Sequence, residues 1–510
     1  MSVTLSTFTR KKRERTVRTL VLGGYAALAE SAWMGFAQAS EVLDSLRPAP
    51  GFGARLVIPR LPKVQWRALL TREFSVAEAS FILMASFFLS ALLGAVRQIL
   101  FNAEFGVGMA ANAYYAAFRL PDTLFSLIAG GALSSAMIPV LINTVREDGD
   151  AAGTRLIQLV LTTLLSFFAL LVLLVELFTP ALVQGVLAPG FDPATSQLTV
   201  TLTRIMLLQP LILAAASVAT AVLNSRNQFL LTGLSVISYN VALILGILAA
   251  RLLPGLGIYG PTLGVVVGAI FQVLILAPAF RTAGRSFRLA WPFTNPRLRE
   301  IIALLIPNGL AVGVNYAGNI ADTAFASTAI EGAALGAIYN GWLLVGLPIA
   351  LLGQAVGQAA FPRLAAAAET GDWTTLRRSL VQALGAVIGL SLLAMAGLFF
   401  LGRTVITVLF ERGEFPVAAG DLTYQVLIAY TLALPAYVGT EVITRGLIAL
   451  RDTRTPLVTN LFQLAGRAAL MAFLVSRIGV IAIPTALAIT AAVETIVLGV
   501  VLLIKLQRRL

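Results

Sequence analysis

Neither cysteine nor histidine occurs among the 510 residues. Without cysteine there is no disulfide, no thiolate metal site and no thiol nucleophile. Without histidine the chain lacks the commonest metal ligand and the side chain that ordinarily titrates near neutrality, so any proton coupling must run through carboxylates. No Gly-x-x-x-x-Gly-Lys run is present either, which excludes direct ATP hydrolysis by a phosphate-cradling loop. No arrangement of side chains resembles a catalytic site, so neither enzymatic activity nor a cofactor or resident metal is expected. Charge is scarce as well, at 12% of residues against 58% hydrophobic, with a mean hydropathy of +0.88. A soluble domain does not have that balance.

What the chain does have is long apolar runs. A span needs about 20 residues, and from Ser75 onward we read twelve all-α transmembrane segments. They lie near 76–101, 110–142, 156–179, 198–223, 229–253, 257–280, 298–328, 334–362, 376–401, 420–450, 456–476 and 479–505. The net charge of +13 and the pI near 10.5 could suggest nucleic acid. The basic residues instead flank the apolar runs, so no nucleic-acid partner is expected. Alternate loops hold sixteen basic residues, among them Arg146, Arg285, Arg297, Arg363 and Arg454, against four in the other set. The excess predicts that both termini are cytoplasmic.

Residues 1–75 form a separate basic province. Arg10-Lys11-Lys12-Arg13-Glu14-Arg15 precedes a moderately apolar stretch from Leu20 to Ala39 that contains Glu30 and has basic residues on both sides. That pattern suits an interfacial or tethered segment better than a span, and no small-residue site for signal cleavage follows it. Beyond it the chain repeats itself. Val222-Leu223-Asn224-Ser225-Arg226 through Thr232 resembles Ala449-Leu450-Arg451-Asp452-Thr453 through Thr459, and Ala132, Ala136, Pro139 and Leu141 match Ala355, Ala359, Pro362 and Leu364. The offsets, 227 and 223, are nearly equal. They predict two six-helix bundles, 76–281 and 298–506, related by a pseudo-two-fold axis along the membrane normal, with substrate bound between rocking halves.

Several charges fall within spans: Arg97, Arg119, Asp122, Arg204, Asp322, Glu441, Arg445, Arg467 and Glu494. A central charge costs about 2.5–3.5 kcal/mol to insert, so such residues face a wet cavity or a partner. Asp122 stands three residues after Arg119, where the two can neutralise each other along one helix face. Pro121 between them frees a backbone carbonyl. The small-residue run from Ala129 to Ala136 reads as a close helix-packing face.

Gly94-Ala95-Val96-Arg97, Phe105-Gly106, Ala117-Phe118-Arg119-Leu120-Pro121-Asp122, Gly131-Ala132-Leu133-Ser134 and Ile138-Pro139 together resemble the N-terminal signature of the MurJ (MviN) family. These are lipid II flippases of the multidrug/oligosaccharidyl-lipid/polysaccharide exporter superfamily. Leu409-Phe410-Glu411-Arg412-Gly413-Glu414-Phe415 and Asp452-Thr453-Arg454-Thr455-Pro456 resemble two further family motifs. The resemblance implies a flippase in the bacterial cytoplasmic membrane. Its partners would be a lipid-linked precursor, membrane lipids and cell-envelope synthesis proteins. It also implies a central cationic cavity for a pyrophosphate-linked head group, for which Arg97, Arg119, Asp122, Arg204 and Asn112 are the candidates. Departures accompany it: Ala91, Phe125 and Leu343 stand where relatives carry arginine, and Asn112 where they carry an acid. The chain ends after the twelfth span, where the family adds two helices. Some members bind sodium between helices seven, eleven and twelve. Asp322 resembles the helix-seven ligand and Arg467 replaces a neutral one, so either an ion or an internal ion pair occupies that place. Two alternatives stay open: a flippase for another lipid-linked oligosaccharide, and a non-transporting scaffold that kept the fold.

Overall fold

The computed structural model describes residues 74–129, 132–281 and 295–509, and all regular structure among them is helical. The N-terminal province up to residue 73, Gly131 and the arginines at 285 and 288 lie outside the described residues. In chain order the helices are α1 (Val76–Phe105), α2 (Met109–Ala129), α3 (Ala132–Leu182), α4 (Pro193–Met206), α5 (Leu208–Ser225), α6 (Phe229–Leu252) and α7 (Tyr259–Leu276). A single turn, Pro278–Arg281, follows. The second half comprises α8 (Pro296–Ser327), α9 (Ala334–Pro348), α10 (Ala355–Thr370), α11 (Trp373–Leu409), α12 (Val417–Ala449), α13 (Arg454–Ile478) and α14 (Ala482–Gln507).

Among the described residues, nine helical stretches are long and apolar enough to cross a membrane. Two of them, Leu133–Leu187 and Arg454–Gln507, hold 55 and 54 residues. At 1.5 Å per residue each is roughly 80 Å long, far more than one ~30 Å hydrocarbon crossing. Each is interrupted. Gly149 leaves helical geometry at φ 85° and ψ 173° inside α3, and a 3-10 turn at Gly479–Ile481 separates α13 from α14. The outer surface is apolar: Phe88 is 74% and Phe400 76% exposed. Such a skin is expected where lipid rather than water surrounds the protein.

Local chemistry sets the helix ends. Ser75 and Glu78 form a reciprocal capping box at the start of α1. Asp192, Asn295 and Asp372 accept from the first free N–H groups of α4, α8 and α11. The Asp452 motif is a structural cap of this kind. Its carboxylate accepts from the Thr455 backbone at 3.0 Å, from the Thr455 hydroxyl at 2.5 Å and from Lys505 Nζ at 2.5 Å, which ties the start of α13 to the end of α14. In the matching turn of the first half, Asn224 accepts from Thr232 Oγ1 at 3.1 Å.

Two turns from opposite halves of the chain interlock. α1 ends at Gly106, φ 58°, where a Cβ would collide with the carbonyl oxygen of Glu414. Gly413, φ 59°, lies against the carbonyl oxygen of Ala103 in the same way, and Glu414 N–H donates to Ala103 O at 2.9 Å. Both positions need glycine twice over, for the left-handed backbone and for the close approach. Phe105 packs on Phe101 beside them, ring centroids 5.1 Å apart. Helix α8 packs on α2 and α3 as well as on α13, so it touches both halves.

Candidate substrate cavity and its closed end

Beside the interlocked turns, α1 and α2 meet α9 through buried amides. Gln98 Nε2 lies 2.9 Å from Asn340 Oδ1, 3.0 Å from Asn102 Oδ1 and 2.7 Å from the Tyr115 hydroxyl. Asn102 Nδ2 donates to Asn340 Oδ1 at 3.0 Å, and the Tyr115 and Tyr339 rings stack at 4.7 Å. All four polar residues of this cluster are at least 97% buried. In a low-dielectric interior such a network is strong when intact and costly when split. Asn112 lies at this closed end, where its Nδ2 donates to the Gly332 carbonyl at 2.7 Å. Gln98, Asn102 and Asn340 were missed by reading charge alone. The available signal was neutral amides inside apolar spans, which need partners for the same reason charges do.

Further along the same interface opens a cavity of about 390 Å³, lined by α2, α8, α9, α12, α13 and α14. Its polar wall holds Arg119, Asn319, Asp322, Glu441, Asn460, Gln463, Arg467 and Glu494, with Trp342, Tyr430 and Tyr437 among them. Asp322 and Arg467 meet as a hydrogen-bonded ion pair with side chains only 7% and 8% exposed. Gly318 makes room for the guanidinium, since a Cβ there would stand 3.3 Å from Arg467 Nη1. Asp322 Oδ1 and Arg467 Nε have no partner among the described residues, so the pair retains one acceptor and one donor. Glu441 pairs with Arg445 at 3.7 Å, and Glu494 accepts from the Thr459 hydroxyl at 3.2 Å.

Among the predicted head-group residues, only Arg119 lines this cavity. It gives its Nε proton to Thr323 Oγ1 on α8 at 3.0 Å and does not close an ion pair with Asp122. Arg97 lines a separate, much smaller pocket with Phe101, Tyr114 and Phe118. Its guanidinium sits 3.4 Å from both Asn240 Oδ1 and the Tyr339 hydroxyl. Gly94, one turn before Arg97, lies at ordinary contact distance from Asn240. Tyr339 separates the two arginines, since Arg119 also lies 5.9 Å from its ring centroid. Asp122 is half-buried and outside the cavity lining. Arg204 is half-exposed and pairs with Glu176 of α3 at 3.3 Å, so it joins neither pocket. Pro121 and Pro139 lie inside α2 and α3, Ala132 opens α3, and Pro456 forms part of the cavity wall. The resemblance implied a cationic cavity. The wall here carries two guanidiniums and three carboxylates.

An apolar skin, a buried polar cavity and an interface shut at one end define a multi-pass membrane transporter. The family model described as "Lipid II flippase MurJ" matches residues 101–509. The chain belongs to that family, and is a multi-pass protein of the cytoplasmic membrane. It is 30% identical over 375 residues to the "Probable lipid II flippase MurJ" of Rhizobium meliloti (strain 1021), covering 72% of this chain and 70% of the relative. It is 26% identical to the "Lipid II flippase MurJ" of Burkholderia cenocepacia, covering 72% of each. A solved structure of "Lipid II flippase MurJ, inward closed conformation" superposes with TM-score 0.70 at 23% identity, over 82% of this chain and 87% of the other. An inward-facing multidrug resistance MATE family transporter of the MOP superfamily gives TM-score 0.69 at 13% identity, over 82% and 95%.

Proposed function

We propose that this protein moves a lipid II-like, undecaprenyl-pyrophosphate-linked cell-wall precursor outward across the cytoplasmic membrane by alternating access, in peptidoglycan biosynthesis. The observation that carries the reading is the polar cavity with one buried and one half-buried guanidinium, closed at one end by backbone and amide contacts between distant parts of the chain. The relatives' names supply the substrate class. In this reading twelve crossings form two six-helix bundles, 76–281 and 298–506. The matching Asn224 and Asp452 turns support the duplication. Both termini face the cytoplasm, and the closed end is the outer one. Arg119 and Arg467 attract the phosphates, because a guanidinium presents a fixed fork to phosphate oxygens. Arg97 steadies Tyr339 beside them. The enzymes that make and consume the lipid in envelope synthesis are the natural partners.

Complementation of a conditional flippase-depletion strain tests this reading. Growth and normal cell shape are expected at native expression. Failure at a normal protein level would move the substrate to another lipid-linked oligosaccharide or leave a non-transporting scaffold.

A further inference from the structure

The cavity's charges do not cancel locally. Arg467 is matched by Asp322, and Glu441 by Arg445. That leaves one cation and one anion on the wall without an ionic partner among the described residues. Arg119 donates to a threonine, and Glu494 accepts only from the Thr459 hydroxyl. The two stand at different depths. Arg119 meets Thr323 close to the end of α8, beside the closed end where Gly332 holds Asn112. Glu494 meets Thr459 close to the start of α13, at the opposite end of that helix from the Glu331 contact with Val480. Between them the nine-tenths-buried Asp322 and Arg467 present their unpartnered Oδ1 and Nε. A ligand that satisfies this wall must bring a negative group to the deep arginine and a positive one to Glu494.

We propose that Glu494 recognises a free ammonium on the head group, so that this transporter selects precursors bearing an amine as well as phosphate. The proposal rests on the transport of a lipid-linked head group argued above. A carboxylate at the end of the cavity away from the interlocked turns would repel a purely anionic head group, and an ammonium converts that repulsion into a charge-assisted hydrogen bond. Glu441 contributes less, because Arg445 already occupies one side of it.

The test measures binding to the full-length protein in lipid nanodiscs. The two probes are lipid II carrying a free lysine ammonium in its stem peptide and the same lipid with that amine acetylated. Wild type should bind the free-amine lipid about tenfold more tightly, equivalent to ~1.4 kcal/mol. Glu494→Gln retains the Thr459 hydrogen bond and should bring the free-amine lipid down to the acetylated one's affinity, while Glu494→Asp keeps part of the preference. Equal wild-type affinities for the two lipids would overturn the proposal without recourse to any variant, and so would a preference that survives in Glu494→Gln. Binding of neither lipid above polyprenyl phosphate would instead remove the lipid-linked substrate itself, which is a different failure.

Discussion

Removing either member of the Asp322–Arg467 pair leaves the other buried without its counter-charge. Replacing Arg467 with alanine strands a carboxylate whose Oδ1 already lacks a partner. The usual cost of breaking a buried pair from one side is about 3–5 kcal/mol. Here Arg119, held on the adjacent Thr323, supplies some compensation and sets the expectation near 3 kcal/mol. Asp322→Asn should cost a similar amount. The double variant Asp322→Asn/Arg467→Gln carries no stranded charge and should recover most of the loss. Thermal unfolding in detergent then gives a coupling energy well above the ~0.5 kcal/mol scatter of independent sites. The guanidinium already supplies Asp322 with a counter-charge, so wild-type Tm should not differ between sodium and choline. A sodium site filled at a hundred times its Kd would add about 2.7 kcal/mol, which such a measurement would not miss. Arg467→Ala vacates the position, and there sodium should restore stability. Additive single-variant effects, or sodium stabilisation of the wild type, would refute the reasoning.

Three further outcomes are expected. In the naturally cysteine-free chain, a cysteine at the 92%-exposed Ile330 should react with an impermeant maleimide in intact cells and one at Arg285 should not; the reverse pattern would invert the topology. Arg97→Lys should lower complementation and Arg97→Ala should lower it more at equal protein level, because the guanidinium fork spans Asn240 and Tyr339. For Asp452, burial alone would raise the pKa, but hydrogen bonds from Lys505 and Thr455 outweigh it and hold the carboxyl at about 2. Its folded value lies below the unfolded ~3.9, so its contribution of about 2 kcal/mol is complete above that pH and vanishes as pH falls toward 2. The Tm gap between wild type and Asp452→Asn should therefore close between about pH 5 and pH 2.

Hydropathy made the membrane class legible, because apolar runs of this length have one stable solvent. For Asp322 and Arg467 the sequence left an ion site and an internal ion pair equally open, because which faces of two distant helices meet is decided only by the fold. That Arg204 meets Glu176 was not legible, because position along a span does not reveal which face of the helix a side chain occupies. Arg119 and Asp122 are close in sequence, yet the arginine reaches across to α8 for a hydroxyl. That is a tertiary choice no local spacing encodes. The amides Gln98, Asn102 and Asn340 are neutral and separated by up to 242 residues. Only the folded chain reveals that they share one network.

The interlock of Gly106 with Glu414 and of Gly413 with Ala103 is built from main chain alone. Its strength does not depend on which side chains drift around it. The cavity wall could therefore change its charges while the latch keeps the same geometry. Carbonyls seated where only a hydrogen fits also leave no room for sliding. In the alternating access proposed above, the closed end would therefore part outright rather than dilate by degrees.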